Sequence, residues 1–292
     1  MPRKRKPLWV KGLLLVAAVL LLAVSAYPVG ALTHRDQVAI LTYHHISETQ
    51  KSSVTITPEL FRRQLTYLLG QGYAFITMQQ FREYRTGGSV PKRAVLVTFD
   101  DGYESFYEYA YPVLRELGIP AVNFVVTEDL GEGPPPMIPA ISAQQIRQIA
   151  SETDLIEFQC HSHRLHKKKD GKPLLTTRQQ EEGAEESQEA YRSRIRSDTE
   201  SCIQELQQLV PQPVDAYAYP FGMYTAEASE LIGSAGIRYG FTVSSRMSDR
   251  SDDPMQIPRI NAGNPSIDPE QLDKTITRRA VERMLKVDLH RE

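Results

Sequence analysis

Ala94-Val95-Leu96-Val97-Thr98-Phe99 runs six residues without a charge and then breaks on Asp100-Asp101-Gly102. A β-branched apolar run closed by a turn signal predicts a strand, and this one delivers two carboxylates at its exit. The same design recurs downstream. Leu155 to Cys160 reads as a strand, and it delivers His161-Ser162-His163-Arg164-Leu165-His166. Between the two lie a helical stretch from Tyr107 to Leu117, a strand from Ala121 to Val126 and a helix from Ser142 to Ala150. Strand and helix alternating in this way argue for parallel βαβ units.

The alternation extends in both directions. Upstream, Val38-Ala39-Ile40-Leu41 is an apolar strand ending in Tyr43-His44-His45. A helix opens at Thr57-Pro58, with Leu60, Phe61, Leu65, Leu68 and Leu69 on one face, and stops at Gly70 and Gly72. Tyr73 to Ile76 makes a short strand, and Thr77 with Gln80 forms a capping-box pair that starts a second helix ending at Gly87-Gly88. Downstream, the charged stretch from Lys167 to Glu186 reads as a solvated insertion before a helix reaching about Leu209. Further strands are expected at Asp215 to Tyr219, Tyr239 to Val243 and Met255 to Ile260, with a last helix from about Pro269 to Lys286. The fold class is therefore α/β, a distorted (β/α) barrel of seven or eight parallel strands without internal repeats.

In such a barrel the functional groups gather where strands end, because the βα loops share one face. An Asp-Asp-Gly alone is a turn, but three of the chain's seven histidines fall within six residues at another strand end. Carboxylates and histidines meeting at one rim suit a metal with mixed oxygen and nitrogen ligands. The net charge of -2 gives no electrostatic case for nucleic acid.

Arg3, Lys4, Arg5, Lys6 and Lys11 precede an uncharged stretch from Gly12 to Leu32. A basic flank before an apolar run long enough to span a bilayer is an export signal, either an uncleaved anchor or a signal peptide removed near Val24-Ser25-Ala26. Residues 1–36 are therefore set apart from a catalytic domain at 37–292, outside the cytoplasmic membrane or secreted. Cys160 and Cys202 are permitted to pair there, although Cys160 reads more simply as a small apolar residue at a strand end.

Thr98-Phe99-Asp100-Asp101-Gly102 and the His161 to His166 element resemble the first two signature motifs of the polysaccharide deacetylases, carbohydrate esterase family four, with its NodB-type domain. Leu41-Thr42-Tyr43-His44-His45-Ile46, Thr57-Pro58-Glu59-Leu60-Phe61, Gly72-Tyr73 and Tyr219-Pro220-Phe221-Gly222 resemble the exported branch acting on poly-N-acetylglucosamine or cell-wall glycan. The likeness runs from Val38 to about Asn264, with the NodB-like core at about 92–264.

The resemblance implies Asp100 as catalytic base and Asp101, His161 and His166 as ligands of zinc or a similar divalent ion. The five-residue step from His161 to His166 matches the poly-N-acetylglucosamine branch, so His163 either faces the site or solvates its loop. It further implies Phe221 N–H as oxyanion donor, with Tyr219, Pro220 and Gly222 beside the sugar. Two departures stand out. Many relatives carry an orienting Arg where this chain has Ala218, and Arg259, at an expected strand end, is the candidate replacement. No His lies between His166 and His290, so the general acid falls to His44, His45, His163 or a water. The expected function is hydrolysis of N-acetyl groups from an N-acetylglucosamine-containing surface polymer. The alternatives are a non-catalytic, metal-bearing glycan-binding protein and an amidase of a small metabolite, which the export signal disfavours.

Overall fold

Alternate residues of the central strands point into a barrel and the residues between them point out to a ring of helices. The computed structural model describes residues 36–130, 137–181 and 183–285; the expected export segment, short of its last residue, lies outside them. In chain order the strands are β1 (Val38–Tyr43), β2 (His45–Ile46), β3 (Thr55–Ile56), β4 (Ala74–Phe75), β5 (Ala94–Phe99), β6 (Ala121–Val125), β7 (Ile156–Cys160), β8 (Lys168–Lys169), β9 (Lys172–Pro173), β10 (Gln180–Glu181), β11 (Ala184–Glu185), β12 (Ala216–Ala218), β13 (Tyr239–Phe241) and β14 (Ile260–Asn261). The helices are α1 (Pro58–Gly70), α2 (Met78–Arg85), α3 (Tyr111–Leu117), α4 (Ala143–Glu152), α5 (Gln188–Gln207), α6 (Ala226–Ser234) and α7 (Pro269–Met284).

Eight strands form one parallel sheet in the order β13, β12, β7, β6, β5, β1, β14, with β4 paired to the first residues of β5. Its two ends approach through a parallel bridge between Phe241 and Ile257, which curls the sheet toward a barrel. Val38, Ile40, Ala94, Leu96, Val122, Phe124, Ala216, Ala218 and Phe241 make the inner core. The residues in between, such as Leu41, Val95, Val97, Phe158 and Tyr217, pack outward with Phe61, Leu65 and Ile195 of the helices.

Ile76, Met78, Phe81 and Tyr84 of α2 and its approach join the inner core. This helix reaches the N-terminal ends of the strands, where Arg82 pairs with Glu157 at 2.9 Å and Asp215 at 2.8 Å. Polar chemistry is thus satisfied at the floor of the barrel, and the opposite rim is free to carry a site.

Several expected elements take different bounds. The helix expected from Tyr107 begins as a π-helical turn at Phe106–Ala110, with Tyr111 N–H donating to Phe106 O, because Pro112 lacks the N–H that would continue the regular ladder. The strand expected from Met255 shrinks to the Ile257 bridge and β14, since Pro258 between them has no N–H for a ladder. The charged insertion folds into two antiparallel hairpins, β8–β9 and β10–β11. Cys160 is not a lone strand-end thiol: it is disulfide-bonded to Cys202 of α5. Among the described residues no helix is long and apolar enough to cross a membrane.

Candidate active site

Strand parity brings the functional side chains to one mouth. On β5 the inward set Ala94, Leu96, Thr98 continues to Asp100, and on β7 the set Glu157, Gln159 continues to His161. Thr42 and His44 follow in the same way from β1, and Arg259 follows Ile257. Thr42, His44, Asp100, His161 and Arg259 line a cavity of about 530 Å3, together with Val54, Asp101, His166, Phe221, Gly222, Val243 and Asn261.

Parity alone would send Asp101 to the far side of Asp100. Its left-handed backbone, φ 72, turns it back toward the mouth, a conformation that Asp tolerates better than most residues. Gly102 follows at φ 68, and a Cβ there would meet Val125 Cγ1 at 2.9 Å, so the second step of the turn requires glycine. Ser162 and Phe221, at φ 79 and 59, bend the other two functional loops. Such conformers persist where the surroundings over-determine them, and here all three sit at the rim.

Asp101 Oδ1 lies 3.2 Å from His161 Nε2 and 3.3 Å from His166 Nε2. One ligand atom from each of the three residues falls within 4.8 Å of the others, a spacing that could hold a metal ion. The donor chemistry fits. His161 Nδ1 contacts the Ala218 carbonyl at 2.8 Å, and a carbonyl only accepts, so Nδ1 carries the proton. Burial works to lower the His161 imidazole, but the Asp101 and Asp100 carboxylates outweigh it and raise it, which favours a second proton on Nε2 facing Asp101; a divalent cation would take the place of that proton on Nε2. Burial and the neighbouring His161 push His166 down to about 4, which leaves it neutral and ready to ligate at physiological pH. Burial raises Asp101, but His161 and the other histidines outweigh this and hold it well below the usual carboxylate range.

Asp100 stands beside this group in a different environment. Arg259, 1% exposed, donates from Nη1 to Oδ1 at 2.6 Å and from Nη2 to Oδ2 at 2.7 Å, while its Nε donates to Thr242 O at 2.9 Å. The planar fork therefore fixes both carboxylate oxygens. Burial works to raise the Asp100 carboxyl; Arg259 and His161 prevail and keep it ionised below its ordinary range.

The remaining candidates divide. Phe221 N–H takes no part in its own turn, whose bonds run from Gly222 N–H to Tyr219 O and from Met223 N–H to Pro220 O. The Phe221 ring stacks on His166 at 4.5 Å, with Lys168 Nζ 4.6 Å above it. Gly222 borders the cavity, and a Cβ at its φ of 67 would strike Val243 Cγ2 at 2.3 Å. Tyr219 and Pro220 do not line the cavity. Tyr219 is buried, its hydroxyl shared between Ser229 Oγ and Met255 O, because parity after Ala218 turns it outward.

Of the expected proton donors, His44 lines the cavity with Nε2 3.9 Å from Asp100 Oδ2. His45 bonds Ser105 Oγ at 2.9 Å, and His163 bonds Thr127 Oγ1 at 2.9 Å, both away from the cavity. Tyr103, Tyr107 and Tyr224, aromatic residues that follow the motifs in sequence, are absent from its lining. The sequence reading did not single out Thr42, Asn261, Val54 and Val243 as lining residues. Parity signals the first two, which sit two residues from His44 and Arg259; nothing local signals the valines.

Fold and rim together define a parallel-barrel hydrolase that pairs a carboxylate–histidine cluster with an arginine-held carboxylate. The chain belongs to the polysaccharide deacetylase family, whose model matches residues 87–240. It is 28% identical over 219 residues to a poly-beta-1,6-N-acetyl-D-glucosamine N-deacetylase of Staphylococcus aureus, covering 75% of this chain and 71% of that one. Among solved structures, IcaB from Ammonifex degensii superposes with a TM-score of 0.70 at 26% identity, covering 82% of this chain and 97% of that one. A de-N-acetylase from Aggregatibacter actinomycetemcomitans has the same fold, with a TM-score of 0.72 at 22% identity over 82% of this chain and all of that one.

Proposed function

We propose that this enzyme removes N-acetyl groups from N-acetylglucosamine units of a cell-surface polysaccharide, an exopolysaccharide of the poly-β-1,6 type ahead of peptidoglycan, with zinc as its ion. The observation that carries this reading is the adjacency of two unlike carboxylates. Asp101 meets the Nε2 atoms of two histidines, and Asp100 meets a guanidinium. A pure binding site has no use for the second, which argues against the non-catalytic alternative.

Asp101, His161 and His166 would hold the divalent ion, which supplies polarisation of the acetamide carbonyl and a lower pKa for the attacking water. Asp100 takes the proton from that water. Arg259 occupies one lone pair on each of its oxygens and leaves another on each for this purpose. Phe221 N–H donates to the oxygen that gains charge as the carbonyl becomes tetrahedral. His44 returns a proton to the departing amine at Nε2, as the one candidate histidine outside the ligand set that lines the cavity.

Arg259 acts through Asp100. Arg259→Lys keeps the charge but loses the fork, so one charge-assisted hydrogen bond is lost, worth about 1.5–3 kcal/mol. The expected result is a kcat about ten- to a hundredfold lower with zinc content unchanged. Turnover and metal content both at wild-type level would remove Arg259 from the mechanism.

The basic and apolar residues of the N-terminus support action outside the cytoplasmic membrane, and the Cys160–Cys202 bond suits an oxidising compartment. The direct test is acetate release from β-1,6-linked N-acetylglucosamine oligomers and from peptidoglycan, with added zinc and after chelation. Zinc-dependent release, faster from the β-1,6 oligomer, is expected. Release from neither glycan at any zinc concentration would end this reading.

A further inference from the structure

The turn that carries the chain from His161 to His166 is held from outside the barrel. Its backbone is bound on both sides. The carbonyls of Ser162 and His163 accept from Thr127 and Glu128 N–H, each at 3.1 Å. On the other side the N–H groups of His163 and Arg164 donate to the two carboxylate oxygens of Asp198, at 3.0 and 2.6 Å. Asp198 lies on α5 and is 7% exposed. Cys202 of the same helix is bonded to Cys160, the residue immediately before His161. Glu205, also on α5, lies 3.5 Å from His163 Nδ1. Positions 198, 202 and 205 have the i, i+4, i+7 spacing of a single helical face. One stripe of α5 therefore meets the strand end before the turn, the backbone within it and the side chain at its centre.

We propose that Asp198 is a positioning residue for the metal centre: with the Cys160–Cys202 bond, its carboxylate sets the shape of the 161–166 turn and so the placement of the His166 imidazole opposite His161. The proposal rests on the reading that these histidines and Asp101 hold a divalent ion. His161 has its own anchor in the Ala218 carbonyl; among the described residues the His166 ring has no such hydrogen bond beside its approach to Asp101, only the Phe221 ring stacked on it, so the path of the chain that precedes it bears on its place. That path includes Ser162 in a left-handed conformation, which serine adopts only when its surroundings impose it. Two N–H donors converge on Asp198, and a carboxylate satisfies both with separate oxygens. An asparagine offers one oxygen and one competing donor, and an alanine offers neither. Asp198 is not among the residues lining the cavity, so it has no route to the substrate except through the turn.

The test compares full-length wild type, Asp198→Ala, Asp198→Asn and the Cys160→Ala/Cys202→Ala double variant. Zinc affinity is measured by competition with a chromophoric chelator, the ligand field by the visible spectrum of the cobalt(II) form, and folding by thermal unfolding of the metal-free proteins. Residues that orient metal ligands typically change affinity about 10- to 100-fold. A loss of that size is expected for Asp198→Ala, a smaller one for Asp198→Asn and the double variant, with altered cobalt spectra and an unchanged KM at saturating zinc. Should Asp198→Ala fail to fold, Asp198→Asn carries the comparison. Wild-type zinc affinity and cobalt spectra in the folded Asp198 variants would overturn the proposal. A wild type that binds no zinc would instead refute the metal reading itself, and the proposal with it.

Discussion

Asp100→Asn is expected to lower kcat by about 10^2- to 10^4-fold, the range general-base catalysis contributes, with zinc content unchanged. The substitution keeps the size of the side chain and removes only its capacity to take a proton. It also has a structural effect, because Arg259 is buried and both of its terminal nitrogens are spent on the Asp100 oxygens. The amide accepts from one of them and turns a donor toward the other. Breaking a buried ion pair from one side costs about 3–5 kcal/mol, so the melting temperature should fall as well. Turnover must therefore be measured well below that temperature, with acetate release and bound zinc followed on the same sample. Activity within tenfold of wild type in folded, zinc-loaded protein would show that another group takes the proton.

This pair also shows what a sequence can and cannot disclose. That Asp100 and His161 face the same space follows from counting in twos along β5 and β7, which is local information. The outward turn of Tyr219 follows from the same count after Ala218, and the resemblance drew attention away from it by placing the whole Tyr219 to Gly222 motif at the sugar. Asp101 defies the count; its approach to the histidines depends on a left-handed step whose local trace is the Asp-Gly pair itself. The meeting of Arg259 with Asp100, 159 residues apart, depends on the pairing of β14 with β1, a consequence of barrel curvature that no local pattern encodes. Cys160 and Cys202 were a pair only in principle. What brings them together is the rotation of α5 about its axis, set by Ile195, Cys202 and Leu206 packing on the outer face of the sheet.

Asp101→Ala and Asp101→Asn are both expected to abolish zinc binding and with it turnover, and the pair separates two explanations that either alone would confuse. Asp101 Oδ1 is the shared neighbour of both histidine Nε2 atoms, so the carboxylate is the point at which the three proposed ligands converge. Alanine removes the ligand but also places an unsuitable residue at φ 72, where a side chain without local hydrogen bonding costs about 1–2 kcal/mol. Asparagine tolerates that backbone and matches the shape while lacking the charge, so its failure to bind zinc would isolate electrostatics from strain. Losing several kcal/mol of Lewis-acid stabilisation corresponds to a fall in kcat on the order of 10^3-fold or more. Chelated wild type should fall equally far, and zinc should restore it but not the variants. The inner core of aliphatic and aromatic side chains does not include Asp101, so the variants should retain the far-ultraviolet circular dichroism of the wild type. A folded Asp101→Asn protein that still bound zinc with wild-type affinity would mean that the two histidines find their third ligand elsewhere. The ionised Asp100 would then be the nearest carboxylate able to serve, and the division of labour between the two adjacent aspartates would have to be reversed.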